Sequence, residues 1–171
     1  AFLTIVKRPI MDDSLYKKWK KAEPAVVEMV NEGRRMKQQI CRQDPYETGE
    51  LRSILNFGHT TAHAIESLTN HKVSHGFAVA AGMRAALDIG VELGVTPAEA
   101  ARDIESCLDR FKLPGRELLQ NSLAKFSFEK FLAELAHDKK GYLRFVLVQK
   151  PGEAIKLSVE EGIIRELYSR W

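Results

Sequence analysis

Residues 75–94, HGFAVAAGMRAALDIGVELG, constrain what this chain can fold into more than any other stretch. They read as one long helix, nearly apolar on all sides and rich in Ala and Gly. A surface helix shows one apolar stripe, whereas a helix that is apolar all round has to be enclosed by neighbours. Its small residues let those neighbours approach closely, and Gly82 and Gly90 read as points of close helix packing. The rest of the chain must therefore supply elements with apolar faces to surround it.

The flanking segments are suited to that task. Pro24 sits at a first helical turn, and 24–42 reads as an amphipathic helix with Val26, Val27, Val30 and Met36 inward. Asp12, Asp13 and Ser14 offer an N-cap for a helix over SLYKKWKK, after an apolar run at 2–6 that reads as a strand or the end of a helix. Asp44-Pro45 and Gly49 mark a loop. A helix follows from about 50 to 68, then a short polar loop over 69–74. Thr96 as cap and Pro97 at the first position open a helix over 97–111, and helices fit 116–123, 127–137 and 160–170. Between the last two the period changes: LRFVLV (143–148) and AIKLSV (154–159) read as a hairpin across Lys150-Pro151-Gly152. The expected fold is a single, mostly α domain over 1–171 with one late β-hairpin. No βαβ alternation and no glycine-rich turn after a strand occurs, so no dinucleotide fingerprint lies in these residues.

Length and composition agree. The 171 residues suffice for one domain with a real core. Apolar residues make up 44% and charged residues 29%, ordinary for a soluble globular chain. A net charge of +3 is too small to argue for nucleic acid, and no basic tract is interleaved with aromatics. No apolar run approaches the ~18 residues of a membrane span. Cys41 and Cys107, far apart and in no ligand-like spacing, read as reduced core thiols in a cytoplasmic protein. The opening Ala-Phe-Leu-Thr-Ile-Val, apolar and without Met, reads as the interior of a larger protein.

The chemistry gathers in residues 51–76, LRSILNFGHTTAHAIESLTNHKVSHG, which hold His59, His63, His71 and His75. At about 100° per residue, Arg52, Asn56, His59, His63 and Glu66 fall within a sector of roughly 80° on one helix. An ordinary polar face carries flexible Lys and Glu, but this one carries planar or short groups that bind metals and anions directionally. His59 and His75, sixteen apart, can meet at one metal ion if the chain turns back after the helix. The alternative is a buried histidine satisfied by hydrogen bonds. Arg52, Asn56 and His63 can bind a phosphate or carboxylate, with Lys37, Lys139 and Lys140 as further cations; the plainer reading of Arg52 is a salt bridge to Glu47 or Glu50. Glu66 can orient a histidine, but His59 is two turns away, so a basic partner or a capping role is the stronger expectation. Trp19 and Trp171 read as packing residues.

The segments LRSILNFGHTTAHAIE, VSHGFAVAAGM and HDKKGYLRFVLV strongly resemble the C-terminal domain of the 3-dehydroquinate synthase family, from about residue 4 to the end. Related cyclases on other sugar phosphates, such as 2-deoxy-scyllo-inosose synthase, share the pattern. The resemblance implies an enzyme that converts 3-deoxy-arabino-heptulosonate 7-phosphate into 3-dehydroquinate and phosphate, a step of the shikimate pathway, using NAD and zinc or another divalent metal. It implies His59 and His75 as metal ligands. It implies Arg52 and Lys37 near the substrate carboxylate, Asn56 and His63 on the phosphate side with His63 in proton transfer, and Lys139 and Lys7 as further cations. The partners it implies are a sugar-phosphate substrate and an N-terminal Rossmann-like NAD-binding domain absent from these residues; a homodimer stays open, and composition argues against nucleic acid and membrane. Without that NAD-binding domain the chain alone is expected to be inactive.

Two departures stand out. The family's third zinc ligand is a Glu where this sequence has Thr4, and a neutral hydroxyl is a poor substitute for a carboxylate. The Glu of its His-Gly-Glu-Ala-Val segment is Phe77. Either the two histidines hold the metal with water or another carboxylate, or the substrate or metal demand has changed. A non-catalytic module that keeps the fold is the remaining reading.

Overall fold

The computed structural model describes residues 24–46, 48, 51–136, 143–150 and 152–171. Expectations for the strand or helix end at 2–6, the cap at 12–14, the SLYKKWKK helix, Trp19, and Thr4, Lys7, Lys139 and Lys140 fall outside these residues. The chain divides into two units, Ala1–Leu55 and Asn56–Trp171.

In the first unit, helix α1 runs Pro24–Gln43. Val27 and Val30 are half-buried, but Met36 is 50% exposed and does not point inward as its position on the wheel suggests. The side chain of Val26 is outside the described residues. The loop after α1 is organised by Asp44. Its carboxylate accepts the Thr48 amide at 3.0 Å and the Arg52 amide at 3.3 Å. A 3-10 turn over Arg52–Asn56 ends the unit and leads into the next.

The second unit is built around the apolar helix. It contains α2 (His59–Leu68), α3 (His75–Glu92), α4 (Ala98–Arg110), α5 (Arg116–Leu123), α6 (Phe128–Ala136), β1 (Leu143–Lys150), β2 (Glu153–Val159) and α7 (Glu161–Tyr168). Every residue of α3 from Ala78 to Leu87 is buried. Nearly three turns of helix can be covered on all sides only by elements on all sides, and α3 packs against α2, α4, α5, α7 and β1. Arg84 is the one charge in that stretch. Its guanidinium reaches outward to the Pro114 carbonyl at 3.0 Å and to Asp109 at 2.6 Å, so the buried cation keeps an anionic partner.

The hairpin is antiparallel, with Leu143 opposite Val159 and Val148 opposite Ala154. Val146, Leu147 and Val148 are all buried, so this part of β1 is covered on both faces. The C-terminal segment closes the core: Tyr168 stacks on Phe131 at 5.2 Å and donates to the Phe126 carbonyl at 2.7 Å. Burial, then the negative charge of Glu129, push the Tyr168 phenol above its ordinary range. Trp171 meets Phe131 edge-on and donates to Asp88 at 2.8 Å, a packing role as its sequence position suggests.

Three expectations change. The helix expected from about residue 50 begins only at His59. Thr96 does not cap α4, whose cap position is Pro97; its hydroxyl is buried and donates to the Val148 carbonyl at 2.6 Å, tying the start of α4 to β1. Cys107 is exposed rather than in a core, and Cys41 is half-buried; both are free thiols. No helix among the described residues is long and apolar enough to cross a membrane.

Candidate functional site

The site begins with two glycines. Gly58 has φ of +80°, a conformation that side-chain-bearing residues adopt at a cost, and it turns the chain directly into α2 at His59. A Cβ on Gly58 would lie 2.7 Å from the Met83 amide nitrogen and 2.9 Å from the Val79 carbonyl oxygen. From the other side, a Cβ on Gly82 would collide with the Gly58 carbonyl oxygen. The start of α2 thus nests against the middle of α3 at a distance only paired glycines permit. The Thr60 hydroxyl, donating to the Arg144 carbonyl at 2.9 Å, fastens the same turn to β1.

At the other end of α2 the chain turns back sharply. Asn70 and His71 both take positive φ, at 50° and 57°. The His71 amide donates to the Glu66 carbonyl at 2.7 Å, and the Thr69 hydroxyl donates to the Ile65 carbonyl at 2.7 Å. This turn returns the chain so that His75, the first residue of α3, lies beside α2. His71 itself is exposed in the turn.

Three imidazoles meet as a result. The ring centres of His59 and His75 are 5.4 Å apart, those of His59 and His63 5.7 Å, and those of His63 and His75 6.4 Å. His59 is buried at 4% exposure, His75 is partly covered, and His63 is exposed. His59 has Nδ1 at 3.3 Å from the Phe57 carbonyl oxygen. His75 has Nδ1 at 3.1 Å from Glu66 Oε1. Glu66 is therefore a member of the site that sequence reasoning set aside in favour of a basic partner or a cap. The wheel measured its distance from His59, whereas the histidine it meets is nine residues later, across the turn.

The donor set suits a divalent metal. Two imidazoles on one tetrahedral ion, with Zn–N bonds of ~2.0–2.1 Å, place their ring centres about 5 Å apart. The separation of His59 and His75 fits that value. Among the described residues no set of three His, Cys, Asp or Glu side chains is gathered so as to hold a metal by itself. The two histidines could supply part of a coordination sphere, not all of it.

The remaining expected residues are distributed differently. Asn56 is half-buried in the 3-10 turn, three residues before His59, so it does not share a helix with the histidines. Arg52, at the start of that turn, and Lys37, half-buried on α1, belong to the first unit. The Arg52 guanidinium donates to the Pro45 carbonyl at 2.9 Å; Glu47 and Glu50, its expected partners, are outside the described residues. Phe77, 50% exposed, presents its ring two residues after His75.

The family model described as 3-dehydroquinate synthase C-terminal matches residues 4–141. The chain belongs to that family. A 3-dehydroquinate synthase of Dehalococcoides mccartyi is 37% identical over 150 residues, 85% of this chain and 39% of that protein. One from Solibacter usitatus is 40% identical over 148 residues, and one from Leptospira interrogans is 42% identical over 133. The chain spans about two-fifths of the length of these curated relatives. Solved members of the wider fold are similar too. A 2-deoxy-scyllo-inosose synthase complexed with carbaglucose-6-phosphate, NAD+ and Co2+ matches 85% of this chain and 42% of its own, with a TM-score of 0.70 at 24% identity. A 2-epi-5-epi-valiolone synthase from Streptomyces hygroscopicus with NAD+ and Zn2+ bound matches 86% of this chain and 41% of its own, with a TM-score of 0.68 at 15% identity. At those identities the likeness is one of fold. The mostly helical 3-dehydroquinate synthase C-terminal fold with a late hairpin is the one expected from the sequence.

Proposed function

We propose that this chain is the metal- and substrate-binding part of a 3-dehydroquinate synthase, which converts 3-deoxy-arabino-heptulosonate 7-phosphate into 3-dehydroquinate and phosphate with NAD and one divalent metal ion. The observation that carries the reading is the meeting of His59, His63 and His75 at the junction of two helices. It is supported by 37–42% identity to curated synthases.

His59 and His75 would hold the metal, with the remaining positions filled by water, substrate oxygens or a side chain outside the described residues. When bound, a divalent ion supplies Lewis acidity toward the alcohol and carbonyl oxygens of the substrate. His63 is exposed one turn from His59, where an imidazole can take a proton at one nitrogen and return it. Asn56 is assigned to the phosphate, Arg52 and Lys37 to the carboxylate, and Lys7 and Lys139 to further anionic contacts. Cations that pair with a substrate's anionic groups hold it in register through several steps. The NAD-binding part is assigned to a separate domain, so the chain alone should not turn over.

Phe77 favours keeping a second reading, a cyclase on another sugar phosphate, since a half-exposed apolar side chain stands two residues after His75 in the chain where the family resemblance has a carboxylate. One assay separates the two. The intact protein, supplied with NAD and zinc, should release inorganic phosphate from the heptulosonate phosphate. Release from glucose 6-phosphate or sedoheptulose 7-phosphate alone would replace the first reading with the second. No release from any of the three would leave a binding module.

A further inference from the structure

We infer that Glu66 is a positioning residue for the metal site: its carboxylate keeps the proton of His75 on Nδ1 and so reserves Nε2 as the ligating nitrogen. The inference rests on the metal reading above and extends it to a residue outside the expected ligand set.

An ionised carboxylate only accepts hydrogen bonds. With Glu66 Oε1 at 3.1 Å from His75 Nδ1, the ring must donate from Nδ1, which leaves the lone pair on Nε2. The carboxylate is well placed to enforce this. Its side chain is only 15% exposed, and among the described residues it forms no ion pair with Lys or Arg. Its backbone carbonyl accepts the His71 amide at 2.7 Å, so the residue is fixed in the turn that brings His75 back. His75 needs such a hold more than His59 does. The His59 ring is buried and sits 3.3 Å from a backbone carbonyl, whereas the His75 side chain is 36% exposed at the first position of α3. A carboxylate behind a ligating imidazole fixes its tautomer and orientation and raises its basicity, and its loss costs roughly 10–100-fold in metal affinity.

The test measures zinc affinity by chelator competition on the intact protein, alongside ring-nitrogen NMR of metal-free His75. Glu66→Ala should weaken zinc binding by about 10–100-fold and turn His75 from the Nδ1–H form into a mixture of tautomers. Glu66→Gln, of the same shape, should lose less affinity, because its amide oxygen still accepts from Nδ1. It also keeps the test decisive if the alanine variant does not fold. A merely structural role would lower the unfolding temperature without moving the tautomer. Wild-type affinity in both Glu66 variants, with His75→Ala much weaker, would overturn the role of Glu66 and leave the metal reading standing. Wild-type affinity in His75→Ala would overturn the metal reading itself. A wild-type His75 protonated on Nε2 would overturn the inference directly.

Discussion

His59 buried, His75 partly covered and His63 exposed form a gradient that suits the roles proposed for them. A ligand gains from a fixed, dry position, while a proton carrier needs access to substrate or water. His59→Ala and His75→Ala should each weaken zinc binding by more than the roughly 10–100-fold that an outer-shell change costs. His63→Ala should leave zinc affinity near that of the wild type and remove most phosphate release. Chelator competition and a phosphate assay on the same three variants check this; loss of zinc binding in His63→Ala would make that ring a ligand instead. The unusual residue types on the 51–76 face were legible because ordinary solvated helices do not use them. The pairing of Glu66 with His75 was not. It depends on positive φ at both Asn70 and His71, residue types that adopt it more readily than most but not obligatorily, so the sequence does not dictate it. A further signal was the shortness of the 69–74 loop, which forces the first residue of the next helix back beside the last turn of α2.

At the scale of elements, the polar stripe is split: His59, His63 and Glu66 lie on α2, while Arg52 and Asn56 lie in the 3-10 turn before it. A 3-10 turn aligns residues three apart and an α-helix residues three and four apart, so over five residues periodicity does not separate the two and runs Arg52–Asn56 into α2. The true helix start is set by Gly58, through a backbone conformation and a contact with Gly82 that are tertiary facts. The close-packing reading of Gly82 was correct, yet nothing in a single sequence says which partner it faces. Gly82→Ala puts its methyl group into the Gly58 carbonyl, with backbone on both sides and no flexible side chain to move. The start of α2 must shift away from α3, carrying His59 with it. The expected cost is about 1–3 kcal/mol of stability, the range for overpacking, together with weaker zinc binding. Gly90→Ala is the contrasting variant: its methyl group would meet the Thr96 side chain, away from His59 and His75, so it should cost stability without the same loss of zinc affinity. Urea unfolding and zinc titration of both variants decide it, and equal zinc affinities in the two would remove the glycine contact from the metal argument.

For the molecule as a whole, enclosure of α3 was the safest inference, because a helix apolar all round admits no other arrangement, and five elements do pack on it. The division between Leu55 and Asn56 was not legible, since it falls inside a short 3-10 turn with no linker composition to mark it. The same architecture predicts how metal and folding are coupled. His59 and His75 sit on the two helices whose contact organises the second unit, so an ion held by both binds the folded chain and is released when α2 and α3 separate. Binding of that kind stabilises by RT ln(1 + [L]/Kd), ~2.7 kcal/mol when free zinc is 100 times Kd. Zinc captured by histidine and cysteine in the unfolded chain reduces the gain. With an m-value of about 1–3 kcal/mol per M urea, the midpoint of the transition that unfolds α2 and α3 should fall by roughly 1 M or more when EDTA replaces zinc. The His59→Ala, His75→Ala double variant should unfold at one midpoint in both conditions, whatever its starting stability, because the comparison is internal to each protein. A zinc-dependent shift that survives in the double variant would mean that the stabilising ion is held elsewhere, and the junction of α2 and α3 would then be a folding contact without a metal.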